Sequence, residues 1–308
     1  MQQGVASIGE CMLELSGGKE GNWRMGYAGD TFNTLWAIRG LIPPAIPADY
    51  VSAFGDDPFS KQQRDFFAQH GIGTAASPVI PGRRPGLYAI TLDGAERSFT
   101  YWRADSAARL LANDRDALGK SLQGRELIYF SGITLAILEH SARATLVAAL
   151  RQAREAGSRI AFDPNYRPRL WTSPEQARMA FDDALSACDI ALPTFPDEAA
   201  LYGDAGPQET LERMKKAGVR EVVVKNGSEP TLLSAEGKDI SIPALHVEKP
   251  VDTTGAGDSF NGAYLAARLE GNTPEDAARR AHRVAATVIQ VYGALAPFEV
   301  LREAFQRA

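Results

Sequence analysis

Asp252-Thr253-Thr254-Gly255-Ala256-Gly257-Asp258-Ser259-Phe260 runs straight into an apolar, small-residue helical pattern. Gly255, Ala256 and Gly257 put bare amides at a helix N-terminus, where unpaired N–H groups and the helix dipole attract negative charge. Asp258 follows immediately and can accept a proton from a substrate hydroxyl. A plain Gly-rich helix start with a dipole-stabilising aspartate is the simpler alternative. An anion site beside a base, however, is what phosphoryl transfer needs when no Walker loop is present.

Upstream of this stretch, Leu127–Ser131, Arg159–Asp163, Ile190–Pro193 and Glu221–Lys225 are short apolar runs of the buried-strand type. Helical stretches separate them, and Ala142–Ala156 before Gly157 is the clearest. Strands alternating with helices imply βαβ crossovers, hence an α/β fold: a doubly wound, mostly parallel sheet with helices on both faces. Val5–Ile8 reads as the first strand, and Tyr50–Phe54 as a short one after Pro43, Pro44 and Pro47. Asp30 is placed to cap a helix carrying Leu35, Trp36, Ile38 and Leu41, and Asp57-Pro58 to open another that ends before Gly71. Gly17–Gly29 is Gly-rich and reads as a loop or irregular piece. Gly86–Leu92 and Arg97–Arg103 alternate around Asp93-Gly94, a hairpin signal. Gly255–Arg268, Pro274–Val291 and Pro297–Phe305 read as helices. The expectation is one domain over residues 1–308, with a small inserted β-lid over about 11–29 and 84–104.

The chain has 308 residues, 44% apolar composition and a net charge of −5, enough for a large core. No Lys/Arg-rich run appears, which argues against nucleic acid as a partner. No apolar run reaches the roughly 18–20 residues a membrane span requires. Met1-Gln2-Gln3-Gly4-Val5 does not read as a signal peptide, so a cytoplasmic protein is expected. Cys11 and Cys188 lie far apart and read as buried free thiols. His70, His140, His246 and His282 have no spacing for a metal or a catalytic triad. With an acidic balance, any anionic substrate must be held by a few placed cations. No Gly-x-Gly-x-x-Gly follows the first strand, which disfavours a dinucleotide dehydrogenase.

In open α/β sheets ligands sit outside the carboxyl ends of the strands. Asp163-Pro164-Asn165-Tyr166-Arg167-Pro168-Arg169 falls at that edge, and arginines locked between prolines make a preorganised anion clamp. Arg167 is the better candidate for a ligand; Arg169 serves equally well in an internal salt bridge. In the hairpin, Phe99, Tyr101 and Arg103 share one face and Trp102 takes the other. That face either grips a carboxylate or is simply the core of a small sheet, and Tyr88 is open to both readings. Lys225-Asn226-Gly227-Ser228 is either a nucleotide-side loop or a plain turn. Asp30 and Asn33 are either ligand contacts or caps.

Asp252–Leu265 resembles throughout the C-terminal signature of the ribokinase/PfkB family of carbohydrate kinases, and Ala28–Thr34 resembles its N-terminal substrate motif. Gly9–Met12, Arg84–Tyr88, Tyr101–Arg103, Ser131–Ala136 and Asp163–Trp171 resemble the bacterial members acting on 2-keto-3-deoxygluconate, and the likeness spans residues 4 to 298. The resemblance implies ATP-dependent phosphorylation of that keto acid at its 6-hydroxyl, with Asp258 as base and the amides of Gly255, Ala256 and Gly257 as anion hole. It implies sugar contacts from Gly29, Asp30 and Asn33, with Tyr88, Tyr101, Arg103 and Arg167 around the keto acid. Asn165, Thr194, Lys225, Gly227 and Ser228 would line the ATP side. Mg2+ would accompany ATP, and a monovalent cation such as K+ near Asp252 and Thr254 is a family feature. A homo-oligomer through the lid edges is the expected assembly.

The chain departs from the family in three places. It has Ala28-Gly29 where Gly-Gly is frequent. The family's Asn-x-x-Glu element is altered at Thr194–Glu198, leaving Glu198 as the expected remnant for Mg2+. Gly293 is followed by Ala294 rather than an acidic residue. The competing readings are a fructokinase or ribokinase acting on a neutral sugar, and a non-catalytic sugar-binding protein on the same fold.

Overall fold

The computed structural model describes residues 3–17, 22–93 and 96–307, so Met1, Gln2 and Gly94 of the expected hairpin turn lie outside the described residues. In chain order the strands are β1 (Val5–Ile8), β2 (Met12–Gly17), β3 (Trp23–Ala28), β4 (Ala48–Val51), β5 (Phe54–Gly55), β6 (Val79–Ile80), β7 (Leu87–Asp93) and β8 (Glu96–Trp102). They continue as β9 (Leu127–Ser131), β10 (Arg159–Asp163), β11 (Ile190–Ala191), β12 (Glu221–Val224), β13 (Thr231–Ala235) and β14 (Lys238–Ile242). The helices are α1 (Asp30–Leu41), α2 (Pro58–Gln69), α3 (Arg115–Leu122), α4 (Gly132–Ile137), α5 (His140–Glu155) and α6 (Pro174–Leu185). After these come α7 (Phe195–Tyr202), α8 (Pro207–Lys216), α9 (Ala256–Leu269), α10 (Pro274–Val288) and α11 (Phe298–Gln306).

An eight-stranded sheet runs β14-β13-β12-β11-β10-β9-β1-β4. Its pairs from β12 to β4 are parallel, and β13 and β14 join antiparallel. Every residue of β1, β9 and β12 is buried, as strands covered on both faces must be. Alternate side chains feed two cores. Val5, Tyr129, Ala161 and Val223 pack with residues of α1, α9, α10 and α11. Ala6, Ile8, Phe130, Phe162 and Val224 pack on the other face with residues of α3, α5, α6 and α8. This is the doubly wound α/β arrangement that the strand–helix alternation predicts.

Four local expectations change. Gly17–Gly29 is not a loop: Gly17 closes β2 and residues 23–28 form β3, paired antiparallel with β2, while residues 18–21 lie outside the described ones. The single strand expected over Tyr50–Phe54 is two, ending at Val51 and resuming at Phe54. The β13–β14 hairpin has no counterpart in the sequence reading; Glu236 and Gly237, at φ 54° and 77°, make its two-residue turn. Asp30 does not cap α1. Gly29 is the N-cap residue, and the Asp30 carboxylate is engaged elsewhere.

A second sheet, β3-β2-β7-β8, is built from the two segments flanking β4–β6. Tyr88 lies opposite Tyr101 and Ile90 opposite Phe99. The rings of Tyr88, Phe99 and Tyr101 stand 5.6 to 6.4 Å apart on one face. Trp23, Met25 and Trp102 are exposed, with Trp102 on the other face. Cys11 and Cys188 are buried free thiols. Among the described residues no helix is long and apolar enough to cross a membrane.

Candidate active site

α1 and α9 both begin at the carboxyl end of the parallel strands and pack along one another. Gly262 permits this, since a Cβ there would stand 2.6 Å from both Ala37 Cβ and Thr34 O. The close approach brings the first turns of the two helices together. Asn33 Nδ2 donates to Asp258 Oδ2 at 2.8 Å, and Asn33 Oδ1 accepts from the Gly29 amide at 3.3 Å.

At the start of α9, Gly255 is the N-cap at φ 73°, and no side chain caps the turn. The Ala256 amide turns back onto Thr253 O (3.3 Å), so that amide is not free for a ligand as the resemblance implied. Gly255 and Gly257 are glycines for different reasons. A Cβ on Gly255 would meet Ala294 Cβ at 2.8 Å, on top of its left-handed φ. A Cβ on Gly257 would have only Lys225 Nζ near it, at an ordinary 3.8 Å. Nothing among the described residues demands a glycine at 257, whereas a ligand lying against the helix end would. Gly255→Ala is therefore expected to cost about 1–2 kcal/mol of stability. Gly257→Ala should melt at or slightly above the parent temperature yet turn over at least about tenfold more slowly, the scale of a lost anion-hole contact. Thermal melts and steady-state rates on both variants check the contrast; a Gly257→Ala enzyme at parent speed would show that no ligand approaches there.

Asp258 is partly buried, and its carboxyl is pushed up to about 7. Dehydration is the main cause and the nearby Asp30 carboxylate adds to it, while the Asn33 hydrogen bond and Lys225 oppose it. Asp30 is likewise raised, chiefly by burial, and accepts from Asn165 Nδ2 at 2.8 Å. Asn165 holds a φ of 37°, and its own amide donates to Asp163 Oδ1 at 3.0 Å. Its side chain is thus turned to Asp30 rather than to a nucleotide side.

Below this pair lies a buried network that the sequence reading did not anticipate, apart from Lys225. Lys225 Nζ donates to Asp163 Oδ2 (2.8 Å) and to Asn261 Oδ1 (2.9 Å). Asn261 Nδ2 donates to the same Asp163 oxygen at 2.7 Å and to Tyr129 OH at 3.2 Å. Asn261 sits three residues after Asp258 on α9, one turn along the same face. The network places an ammonium group beside Gly257. Gly227, at φ 60°, and Ser228 form an exposed turn beyond β12. Thr194 precedes α7 and bridges to Lys225.

The arginines are already partnered. Arg167 Nη1 donates to Asp197 Oδ2 (3.0 Å) and to Tyr166 O (2.8 Å). Arg103 Nη2 donates to Glu10 Oε2. Tyr88 OH donates to Glu14 Oε2, and Tyr101 remains half exposed. Glu198 does not face the cleft: it is fully buried, held by Arg213 at 2.9 Å, and pushed up to about 7 mainly by dehydration. Asp197, one residue earlier, keeps some exposure and lies in the field of Asp163 and Lys225. The turn of α7 separates the two carboxylates: Glu198 is buried against Arg213, and Asp197 reaches Arg167. Asp252 holds its loop closed, accepting from the amides of Thr254 (2.9 Å) and Gly293 (3.0 Å). Among the described residues no group of three His, Cys, Asp or Glu side chains could hold a metal ion.

A family model described as pfkB family carbohydrate kinase matches residues 2–301. The 2-dehydro-3-deoxygluconokinase of Dickeya dadantii is 44% identical over 304 residues, covering 96% of this chain and 98% of the relative. That of Escherichia coli K12 is 42% identical over 308 residues, covering 98% and 99%. A fructokinase from Xylella fastidiosa solved with bound ATP superposes with a TM-score of 0.86 at 19% identity, covering 99% of each chain, a likeness of fold alone.

Proposed function

Because this chain belongs to the pfkB family of carbohydrate kinases, we propose that it transfers the γ-phosphoryl group of ATP to the 6-hydroxyl of 2-keto-3-deoxygluconate. One observation carries the chemistry: a carboxyl raised to about 7, Asp258, stands at the open first turn of α9 with an ammonium close by. The substrate follows from the two relatives of that name at 42–44% identity over almost their whole length.

In this reading Asp258, oriented by Asn33, takes the proton from the 6-hydroxyl as its oxygen attacks the γ-phosphorus in line. The bond from phosphorus to the β–γ bridging oxygen breaks, ADP leaves, and the proton stays on Asp258. Charge on the passing phosphoryl group is met by the Gly257 amide, the helix dipole and Lys225. Gly29, Asp30 and Asn33 face the sugar hydroxyls, and Thr194, Gly227 and Ser228 line the nucleotide side. The second sheet acts as a lid. Its Tyr88 and Tyr101 pack on the carbon skeleton, and Arg103 meets the carboxylate.

Mg2+ is expected with ATP, held mainly by phosphate oxygens and water, the donors it prefers. Asp197 is the residue fit to add a contact, whereas Glu198 is not, being buried against Arg213.

An ADP-release assay over 2-keto-3-deoxygluconate, its galactose-derived epimer, fructose and ribose tests the proposal. The acids should lead the neutral sugars in kcat/KM by at least about tenfold, the worth of one charged hydrogen bond. A neutral sugar in first place would reassign the substrate.

A further inference from the structure

Glu10 lies between β1 and β2, and nothing above gives it a task. Its side chain is 1% exposed, an unfavourable place for a carboxylate unless it is well paired. It nevertheless touches all four passages of chain between the main sheet and the second sheet. The first passage, residues 9–11, contains Glu10 itself. The second is Gly29, before α1, where a Cβ would stand 2.2 Å from Glu10 O. The third is Gly86, before β7, where a Cβ would stand 2.7 Å from Glu10 Oε1. The fourth is Arg103, just after β8, which donates to Glu10 Oε2. Gly29 and Gly86 therefore leave the room that Glu10 occupies.

The pairing of Glu10 with Arg103 is only half made. A guanidinium and a carboxylate can join by two parallel hydrogen bonds. Here Glu10 Oε1 and Arg103 Nε are both buried without a partner. Arg103 thus sits at the end of a strand of the second sheet but is tethered to the end of a strand of the main sheet. A long side chain fixed this way loses its rotamer freedom before any ligand arrives, which lowers the cost of binding one.

We propose that Glu10 is the positioning residue for Arg103, holding the guanidinium at the junction of the two sheets so that its remaining donors meet the substrate carboxylate and select an acid over a neutral sugar. This rests on the keto-acid reading above, which the substrate panel tests separately, and Arg103→Ala is the control for the arginine's own contact. Steady-state kinetics of Glu10→Ala, Glu10→Gln, Arg103→Ala and the double alanine variant test it. Glu10→Ala should raise KM for 2-keto-3-deoxygluconate at least about tenfold, with kcat and the KM for ATP within about threefold of the parent. Glu10→Gln, which keeps an acceptor, should lose less. The double variant should be no worse than Arg103→Ala alone, because one residue acts through the other. Additive losses, or losses in kcat and ATP affinity with an unchanged keto-acid KM, would overturn the assignment. If Glu10→Ala does not fold, Glu10→Gln alone and combined with Arg103→Ala supplies the same cycle. An Arg103→Ala enzyme with normal keto-acid KM would remove Arg103 from the carboxylate contact and overturn this proposal, while the substrate itself stands or falls on the panel above.

Discussion

Asp258→Asn should lower kcat by about two to four orders of magnitude, the range of a lost general base, and at the same time make the protein more stable above neutral pH. The rate follows from the proton: an amide still accepts the hydrogen bond from Asn33 but cannot take a proton from a hydroxyl. The stability follows from the raised carboxyl. With a folded value of about 7 against 3.8 for the free group, the folded state holds a proton that the unfolded state has released. Between those values stability falls as pH rises, and the full cost is present above about pH 7. The carboxylate is partly open to water, which screens some of the effect. A gain of ~2–4 °C in melting temperature at pH 8, vanishing near pH 4, is the expected size. The parent enzyme should also show an acid limb in kcat/KM near pH 7. Melts at the two pH values and a rate profile measure all three. An unchanged kcat would remove Asp258 from the chemistry, and an unchanged melting temperature at pH 8 would remove the buried-charge account.

The second large effect concerns Lys225. Lys225→Met leaves Asp163 as a buried charge still held by Asn261 but without its cation. It also strips Asn261 Oδ1 of its donor. Breaking a buried pair from one side costs about 3–5 kcal/mol. Urea unfolding should register that loss, and kcat should fall with it because the ammonium beside Gly257 is gone. Adding Asp163→Asn to Lys225→Met should restore much of the stability and none of the rate. A single variant losing less than about 1 kcal/mol would mean that water repairs the gap and the pair is not truly dry.

The central sheet was legible because parallel strands buried on both faces are continuous apolar runs, as at Leu127–Ser131 and Glu221–Val224. β3 was not, because its six residues are mostly exposed or half-buried and Gly26 interrupts them. The β13–β14 turn uses Glu236-Gly237 rather than the usual Asn-Gly or Asp-Gly pair. At the site, the nonapeptide from Asp252 showed its base and its glycines. It could not show that the Ala256 amide folds back on Thr253, a detail of the turn set by Gly255. Asp163, Asn261 and Glu10 stayed hidden because each acts on another side chain distant in sequence. Asp197 and Glu198 are adjacent, so only the rotation of α7 separates the one near Lys225 from the one locked to Arg213.

The pairing of α1 with α9 also dictates a birth order. Asn33 and Asp258 are 225 positions apart, so a ribosome must finish most of the chain before the two can meet. Until then the inner face of α1, with Leu35, Ala37 and Ile38, has no α9 to cover it. The nascent chain therefore carries a sticky helix through most of its synthesis, the kind of surface chaperones bind. Its catalytic power arrives late and all at once, with the docking of one helix.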